Sequence, residues 1–243
     1  MTVKIKNKIA LVTGANRGIG QSIVETFLNN GAKKVYLAVR NLDSTDHLVK
    51  KYGDKVTALK VDVSDLESIK NLANQVPDVE LVVNNAGILE SADALSDNAE
   101  EALYKELKVN TFGLLRMAQA FTPILENKKE SAFIQLNSVA SIKNFGSFTT
   151  YSASKAAAYS ITQGLKESLT PKGIHVLSVH PGPIATDMAH NAGMGEMAEP
   201  VNVVADGIVQ ALEKGQFHLF PDTMAKEFES AYNNYAVNVI EAA

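Results

Sequence analysis

"IALVTGANRGIG" (9–20) carries a short β-rich run straight into a glycine-spaced turn, and that turn opens a helical pattern over 18–29. Glycines let the backbone turn tightly and come close to a phosphate. The helix beyond offers free N–H groups and the positive end of its dipole. Glycines are also common in a plain strand-to-helix turn, so the motif decides little by itself. Its place decides more, because open α/β sheets bind ligands at the C-terminal ends of their strands.

The same alternation continues along the chain. Strand candidates are "IALVT" (9–13), "KVYLAV" (34–39), "VTALKV" (56–61), "ELVVN" (80–84), "AFIQLN" (132–137), "HVLSVH" (175–180) and "FHLF" (217–220). Several are apolar almost throughout, as strands buried on both faces of a parallel sheet must be. Helical patterns lie between them at 18–29, 64–75, 97–125, 151–169 and 201–214. Together they predict a doubly wound α/β fold, a parallel seven-stranded sheet flanked by helices. No linker, repeat or low-complexity tract interrupts 1–243, so one domain is expected. After the last strand, 221–242 reads as an extra C-terminal helix in which Phe228, Tyr232, Tyr235 and Val239 share one face. That stripe suits packing on the domain or on a second subunit.

A chain of 243 residues, 46% hydrophobic and 21% charged, can bury a substantial core. Its net charge of −4, without a run of Lys or Arg, argues against nucleic acid as a partner. The absence of cysteine removes disulfides, thiolate catalysis and cysteine-based metal sites, and it fits a reducing compartment. Neither a signal-peptide core nor a membrane-length apolar run is present, so a cytoplasmic protein without membrane association is expected. The histidines (47, 175, 180, 190 and 218) show no close metal-ligand spacing with acids, so no metal is expected. His180, ending a strand before "PG", reads as structural.

If the turn holds a dinucleotide, the second strand bears on which one. An NAD site usually places an acid at the end of that strand, for the adenosine ribose hydroxyls. Here Val39 and Arg40 stand there, and Arg17 lies in the glycine turn itself. Two guanidiniums without a carboxylate suit a 2′-phosphate, although each alone could be a solvated surface charge. NADPH is therefore expected, with NADH the weaker alternative. Asp43 and Asp46 follow in what reads as a loop or helix start.

"YSASK" (151–155) sets Tyr151 and Lys155 four residues apart, neighbours on one helical face. A free phenol titrates near pH ~10, too high for ready proton exchange at neutral pH. A nearby ammonium, helped by an oxidised nicotinamide's positive charge, favours the phenolate and is expected to lower that value. By itself the pair could be an ordinary surface pair. It is accompanied by Ser138 in "LNSVAS", Asn110 in "VNTFG", "NNAG" (84–87) and "HPGPIATDM" (180–188).

With these markers, in this order and over essentially the whole chain, the sequence resembles the short-chain dehydrogenase/reductase family, the single-domain group of about 250 residues. The resemblance implies a Rossmann fold and assigns roles. Tyr151 would exchange the proton with the substrate oxygen, Lys155 would lower the Tyr151 pKa and bind the nicotinamide ribose, and Ser138 would stabilise the developing charge. Asn110 would hold a water linking Lys155 to solvent. Gly14, Asn16, Arg17, Gly18, Ile19 and Gly20 would line the phosphate turn, with Arg40 at the 2′-phosphate. Asp62 and Val63 would border the adenine, while Asn84, Ala86 and Gly87 would follow the central ribose. Pro181, Gly182, Ile184 and Thr186 would border the nicotinamide.

The implied activity is reversible NADPH-dependent reduction of an aldehyde or ketone, as in carbonyl reductases. Reduction of 3-oxoacyl carrier-protein thioesters is an alternative. Against it, "LFPDTMAKEF" and a further helix stand where such reductases end on a glycine-rich turn, and no basic patch is visible. A non-catalytic dinucleotide sensor is the alternative from another class, opposed by the intact Ser138–Tyr151–Lys155 set. The stretch 184–200, with Met188, Met194 and Met197, reads as a mobile substrate lid, and Phe145 and Phe148 add aromatic surface. A small carbonyl or alcohol, apolar or aryl-bearing, is the expected substrate. By analogy with the family, a homodimer or homotetramer is expected.

Overall fold

The apolar runs pair into one parallel sheet because, with helices on both sides, neither sheet face meets water. The computed structural model describes residues 1–241. Its strands are β1 (Ile9–Thr13), β2 (Lys34–Val39), β3 (Val56–Lys60), β4 (Leu81–Asn84), β5 (Ser131–Leu136), β6 (Ile174–Val179) and a short β7 (His218–Leu219). They lie in the order β3-β2-β1-β4-β5-β6-β7, each neighbouring pair parallel. The helices are α1 (Gly18–Asn29), α2 (Asp46–Tyr52), α3 (Leu66–Gln75), α4 (Ala99–Glu106), α5 (Phe112–Leu125), α6 (Thr149–Leu169), α7 (Asp187–Asn191), α8 (Asn202–Lys214) and α9 (Thr223–Tyr235).

Alternate residues of each strand feed two cores. Ala10, Val12, Val35 and Leu37 join Ile23 and Phe27 of α1 and Ile208 of α8 on one face. Leu11, Tyr36 and Phe133 join Leu72 of α3, Phe121 of α5 and Ala158 of α6 on the other. Phe27, Phe121 and Phe133 are fully buried, each contributing roughly 1.5–3 kcal/mol relative to exposure. The chain runs outward from β1 to β3, then crosses to β4 on the other side of β1. A crevice therefore opens above the C-terminal ends of β1 and β4, where doubly wound sheets hold ligands.

Two features differ from the sequence reading. The helix expected over 97–125 is divided by a wide π-type turn at Leu107–Thr111. Asn110 sits in that turn, its side chain bonded to both backbone groups of Ile88. In the terminal helix, Phe228 and Tyr232 pack beside Val139 and Phe220, whereas Tyr235 and Val239 are 54% and 59% exposed. A second wide turn at Ala236–Ile240 shifts the helical phase, bringing Ala236 and Ile240 inward instead. The last residue of the expected 221–242 helix lies outside the described residues. Within 184–200, the expected lid, the chain forms local structure. Thr186 caps α7 by accepting the Ala189 N–H, and Ile184 pairs with Glu199 to close the segment at its base.

Candidate active site

The crevice is a cleft of about 750 Å³, lined by Gly14 just beyond β1 and by Ala38 and Val39 at the end of β2. Thr13, the last β1 residue, accepts the N–H groups of Asn85 and Ala86 at 2.9 and 3.0 Å. Asn85 donates back to the Thr13 carbonyl at 2.8 Å, stitching the ends of β1 and β4 together. The glycine turn then crosses above. A methyl group on Gly20 would lie 2.1 Å from the Gly14 carbonyl oxygen, so only glycine allows α1 to start this close to the turn. The backbone thus offers a cradle at a helix N-terminus, as a phosphate requires.

Gly14, Asn16, Arg17, Gly18, Ile19, Gly20, Arg40, Asp62, Val63, Ala86 and Gly87 all line this cleft, as do Pro181, Gly182, Ile184 and Thr186. Asn84 does not. It is 4% exposed and donates to Gln135 Oε1 at 2.7 Å within the sheet. Its neighbour Asn85 faces the cleft instead, because successive residues leaving a strand point to opposite sides.

The adenine end expected from the sequence carries mixed charge. Burial raises the Asp62 carboxyl, but hydrogen bonds from Ser64 and the charges of Arg40 and Lys108 outweigh it, leaving the group below its ordinary value. Asn41 and Ser44 stand beside Arg40 in the wall and were not singled out in the sequence. Arg17 reaches across the mouth to Asp187 on α7, at 2.9 Å, with both side chains largely exposed.

At the other end, Ser138, Tyr151 and Lys155 converge on the cleft from β5 and α6. Ser138 follows β5, accepts the Ala140 N–H at 3.1 Å and donates to the Pro181 carbonyl at 3.3 Å. Lys155 Nζ donates to the Leu136 carbonyl at 2.8 Å and lies 5.7 Å from the centre of the Tyr151 ring. The expected lowering of the Tyr151 pKa is not found in the polypeptide itself. Burial pushes the phenol up to about 12, the neighbouring Ser138 hydroxyl opposing and the Glu106 charge adding to the rise. Burial also brings the Lys155 ammonium down to about 8, against the pull of Glu106. Desolvation is the largest cause for both groups.

Asn110 lies just behind. A methyl on Gly87 would fall 3.1 Å from Asn110 Oδ1 and 3.7 Å from Lys155 Nζ. Its amide nitrogen donates to the Ile88 carbonyl and to Ser154 Oγ, and its oxygen accepts the Ile88 N–H. Both side-chain N–H groups are committed within the protein, so this side chain holds the loop that leaves β4. The apolar wall includes Phe145, Phe148, Met188, Met194 and Met197, together with Met224 of α9, which the sequence reading did not single out.

Residues 8–196 match the family model described as short chain dehydrogenase. The chain belongs to the short-chain dehydrogenase family. An oxidoreductase of Staphylococcus saprophyticus, described as uncharacterized, is 32% identical over 222 residues, covering 87% of this chain and 94% of that one. A short chain dehydrogenase from Burkholderia cenocepacia, solved in complex with NADP, superposes with a TM-score of 0.88. It is 33% identical, covering 95% of this chain and 94% of that one. A short-chain dehydrogenase from Streptomyces avermitilis gives 0.84 at 26% identity, covering 97% and 95% of the two chains. The protein is thus an oxidoreductase of this family, acting on a small molecule. Among the described residues no group of His, Asp and Glu could hold a metal ion. No described helix is long and apolar enough to cross a membrane.

Proposed function

We propose that this short-chain dehydrogenase is an NADPH-dependent reductase of aldehydes or ketones, with Tyr151 exchanging the proton. The observation that carries this reading is the convergence of Ser138, Tyr151 and Lys155 on one cleft whose far end holds the glycine cradle and Arg40. The cradle fits a dinucleotide phosphate, because a side chain at Gly20 would close it. Arg17 and Arg40, with no acid at the end of β2, support a 2′-phosphate. The Burkholderia cenocepacia relative bound to NADP supports the same choice.

When bound, the dinucleotide supplies the hydride. The protein supplies orientation and the proton. With a pKa near 12, the Tyr151 phenol is protonated at neutral pH and ready to donate to a carbonyl oxygen as negative charge develops there. Ser138 can turn its hydroxyl from the long Pro181 bond to the same oxygen. Lys155 spends one N–H on Leu136 and keeps two for ribose hydroxyls. In the oxidation direction the positive charge of an oxidised nicotinamide would favour the Tyr151 phenolate, the form needed as base.

Phe145, Phe148 and the four methionines of the wall favour an apolar or aryl-bearing carbonyl. Segment 184–200 is the proposed lid. Tyr104 and Phe112, 68% and 50% exposed on α4 and α5, support a homodimer or homotetramer. Following NADPH and NADH consumption across a panel of ketones and aldehydes tests the proposal. We expect NADPH-linked reduction of apolar carbonyls that Tyr151→Phe abolishes while NADPH still binds. Equal inactivity of both proteins with NADPH bound would instead support a dinucleotide sensor.

A further inference from the structure

Main-chain bonds tie the turn that carries Ser138 to the chain leaving β6, and they run one way. Asn137 N–H donates to the Val179 carbonyl at 2.8 Å, and Val139 N–H to the Pro181 carbonyl at 3.0 Å. Little can be returned from the other side. Pro181 and Pro183 have no N–H, the His180 N–H goes to the Leu219 carbonyl, and the Gly182 N–H goes to Asp222. The His180 side chain supplies the missing donor. Its Nδ1 lies 3.2 Å from the Ser138 carbonyl oxygen, which can only accept, so Nδ1 carries the proton. Nε2 then accepts from Ser178 Oγ at 2.7 Å.

This ring has no room to turn. It is 0% exposed, stacked on Phe220 with centres 5.0 Å apart and met edge-on by Tyr159 at 4.6 Å. The remaining bonds of Ser138 are mostly internal to its own turn. Its N–H donates to Ser141 Oγ, its carbonyl also accepts the Ser141 N–H, and its Oγ accepts the Ala140 N–H. Those bonds move with the turn and cannot fix it against β6. The bond from Ser138 Oγ to the Pro181 carbonyl is the one given up when the hydroxyl turns to a substrate oxygen. Among the described hydrogen bonds, that leaves the His180 ring as the tie between Ser138 itself and the β6 side.

We propose that His180 is a positioning residue for the reaction, its Nδ1–H holding the Ser138 carbonyl so that the freed hydroxyl keeps its direction towards the substrate oxygen. This rests on the role read for Ser138 above.

Two substitutions separate the bonds of the ring. The amide of His180→Asn reaches the position of Nδ1 and can still donate to Ser138. The amide of His180→Gln reaches that of Nε2 and keeps only Ser178. Charge develops on the substrate oxygen in the transition state, so a misdirected Ser138 lowers kcat rather than raising KM. Removing such a donor outright costs roughly 100-fold or more, and misdirecting it should cost about tenfold. We expect that fall in kcat in His180→Gln with KM unchanged, and a rate within about threefold of the wild type in His180→Asn. In a Ser138→Ala background, His180→Gln should cost nothing further. Equal losses in the two single variants, or the full His180→Gln loss in the Ser138→Ala background, overturn the proposal. The ring itself is read from the 15N resonances of His180, assigned by their loss in His180→Asn. Near neutral pH they should report a neutral ring protonated on Nδ1. A proton on Nε2 instead overturns the proposal even if His180→Gln fails to fold. That measurement needs no substrate, so an absence of carbonyl turnover would remove the proposed function without being mistaken for a failure of the His180 tie.

Discussion

Acid should destabilise this protein through two buried histidines, His180 and His175. His180 is 0% exposed, and its hydrogen bonds dictate a neutral tautomer. Nδ1 lies 3.2 Å from the Ser138 carbonyl, which can only accept, so Nδ1 carries the proton. Nε2 then accepts from Ser178 Oγ at 2.7 Å, and Ser178 in turn accepts from Asn137. Burial, reinforced by the His218 charge, holds the His180 pKa down to about 3, and burial holds His175 down to about 4. Both values are depressed below the ordinary ~6.5 of an unfolded histidine. Their contribution is therefore complete above pH ~6.5 and is lost as pH falls towards the folded values. At pH 5 the unfolded chain gains about 1.5 protonation decades on each group, which at 1.36 kcal/mol per unit is about 2 kcal/mol per histidine. Urea melts at pH 7.5 and 5.0 measure this directly. We expect the stability lost between the two pH values to shrink by about 2 kcal/mol in His180→Asn, whatever that substitution does to stability at pH 7.5. His218 and the carboxylates are common to both proteins and cancel. An acid loss as large in His180→Asn as in the wild type would refute the assignment of a neutral buried His180.

Two further outcomes follow from the cleft. Asp222 is 1% exposed and accepts both the Ala225 N–H, capping α9, and the Gly182 N–H at 2.8 Å, so it fixes the Pro181–Gly182 loop of the cleft against the helix that carries Met224. Asp222→Ala should lower stability by about 1–2 kcal/mol in a urea melt and raise KM for the carbonyl more than it lowers kcat. Arg40→Ala should weaken NADPH more than NADH, by about tenfold for one charge-assisted phosphate contact, in a fluorescence titration of each cofactor.

The strands were legible because burial on both sheet faces leaves an almost unbroken apolar run, and α1 was legible because a glycine turn and Asn30–Gly31 bound it. What escaped the sequence depends on contacts between distant segments. The break at Leu107–Thr111 accompanies Asn110 holding Ile88, twenty-two residues earlier. Two adjacent asparagines at 84 and 85 carry no mark of which one faces the cleft until β4 is paired in register with β5. Glu106, within the charged run "EEALYKE", looks like one more solvated helix position, and only its burial and its bond to Glu90 distinguish it. The spacing of Tyr151 and Lys155 correctly brought them to one cleft. Spacing says nothing of desolvation, which is why the direction of the Tyr151 shift could not be read from it.

Arg17 illustrates how an observed partner bears on an expected role. The sequence reading sends it to a 2′-phosphate, yet it meets Asp187 at 2.9 Å across the cleft mouth. Both groups are more than 60% exposed, and ion pairs in that setting contribute about 1 kcal/mol or less. A guanidinium on a phosphate forms charge-assisted and often bidentate bonds, roughly twice as strong as neutral ones. Exchange of Asp187 for a phosphate therefore costs little, and the present pair does not argue against the expected role. The pair does join the glycine turn to the first turn of α7, at the root of the methionine-bearing segment. If the proposed 2′-phosphate draws Arg17 away, that join would loosen at the root of the proposed lid. Among the described residues Arg40 has no such ion pair, so it is the cleaner reporter of cofactor choice.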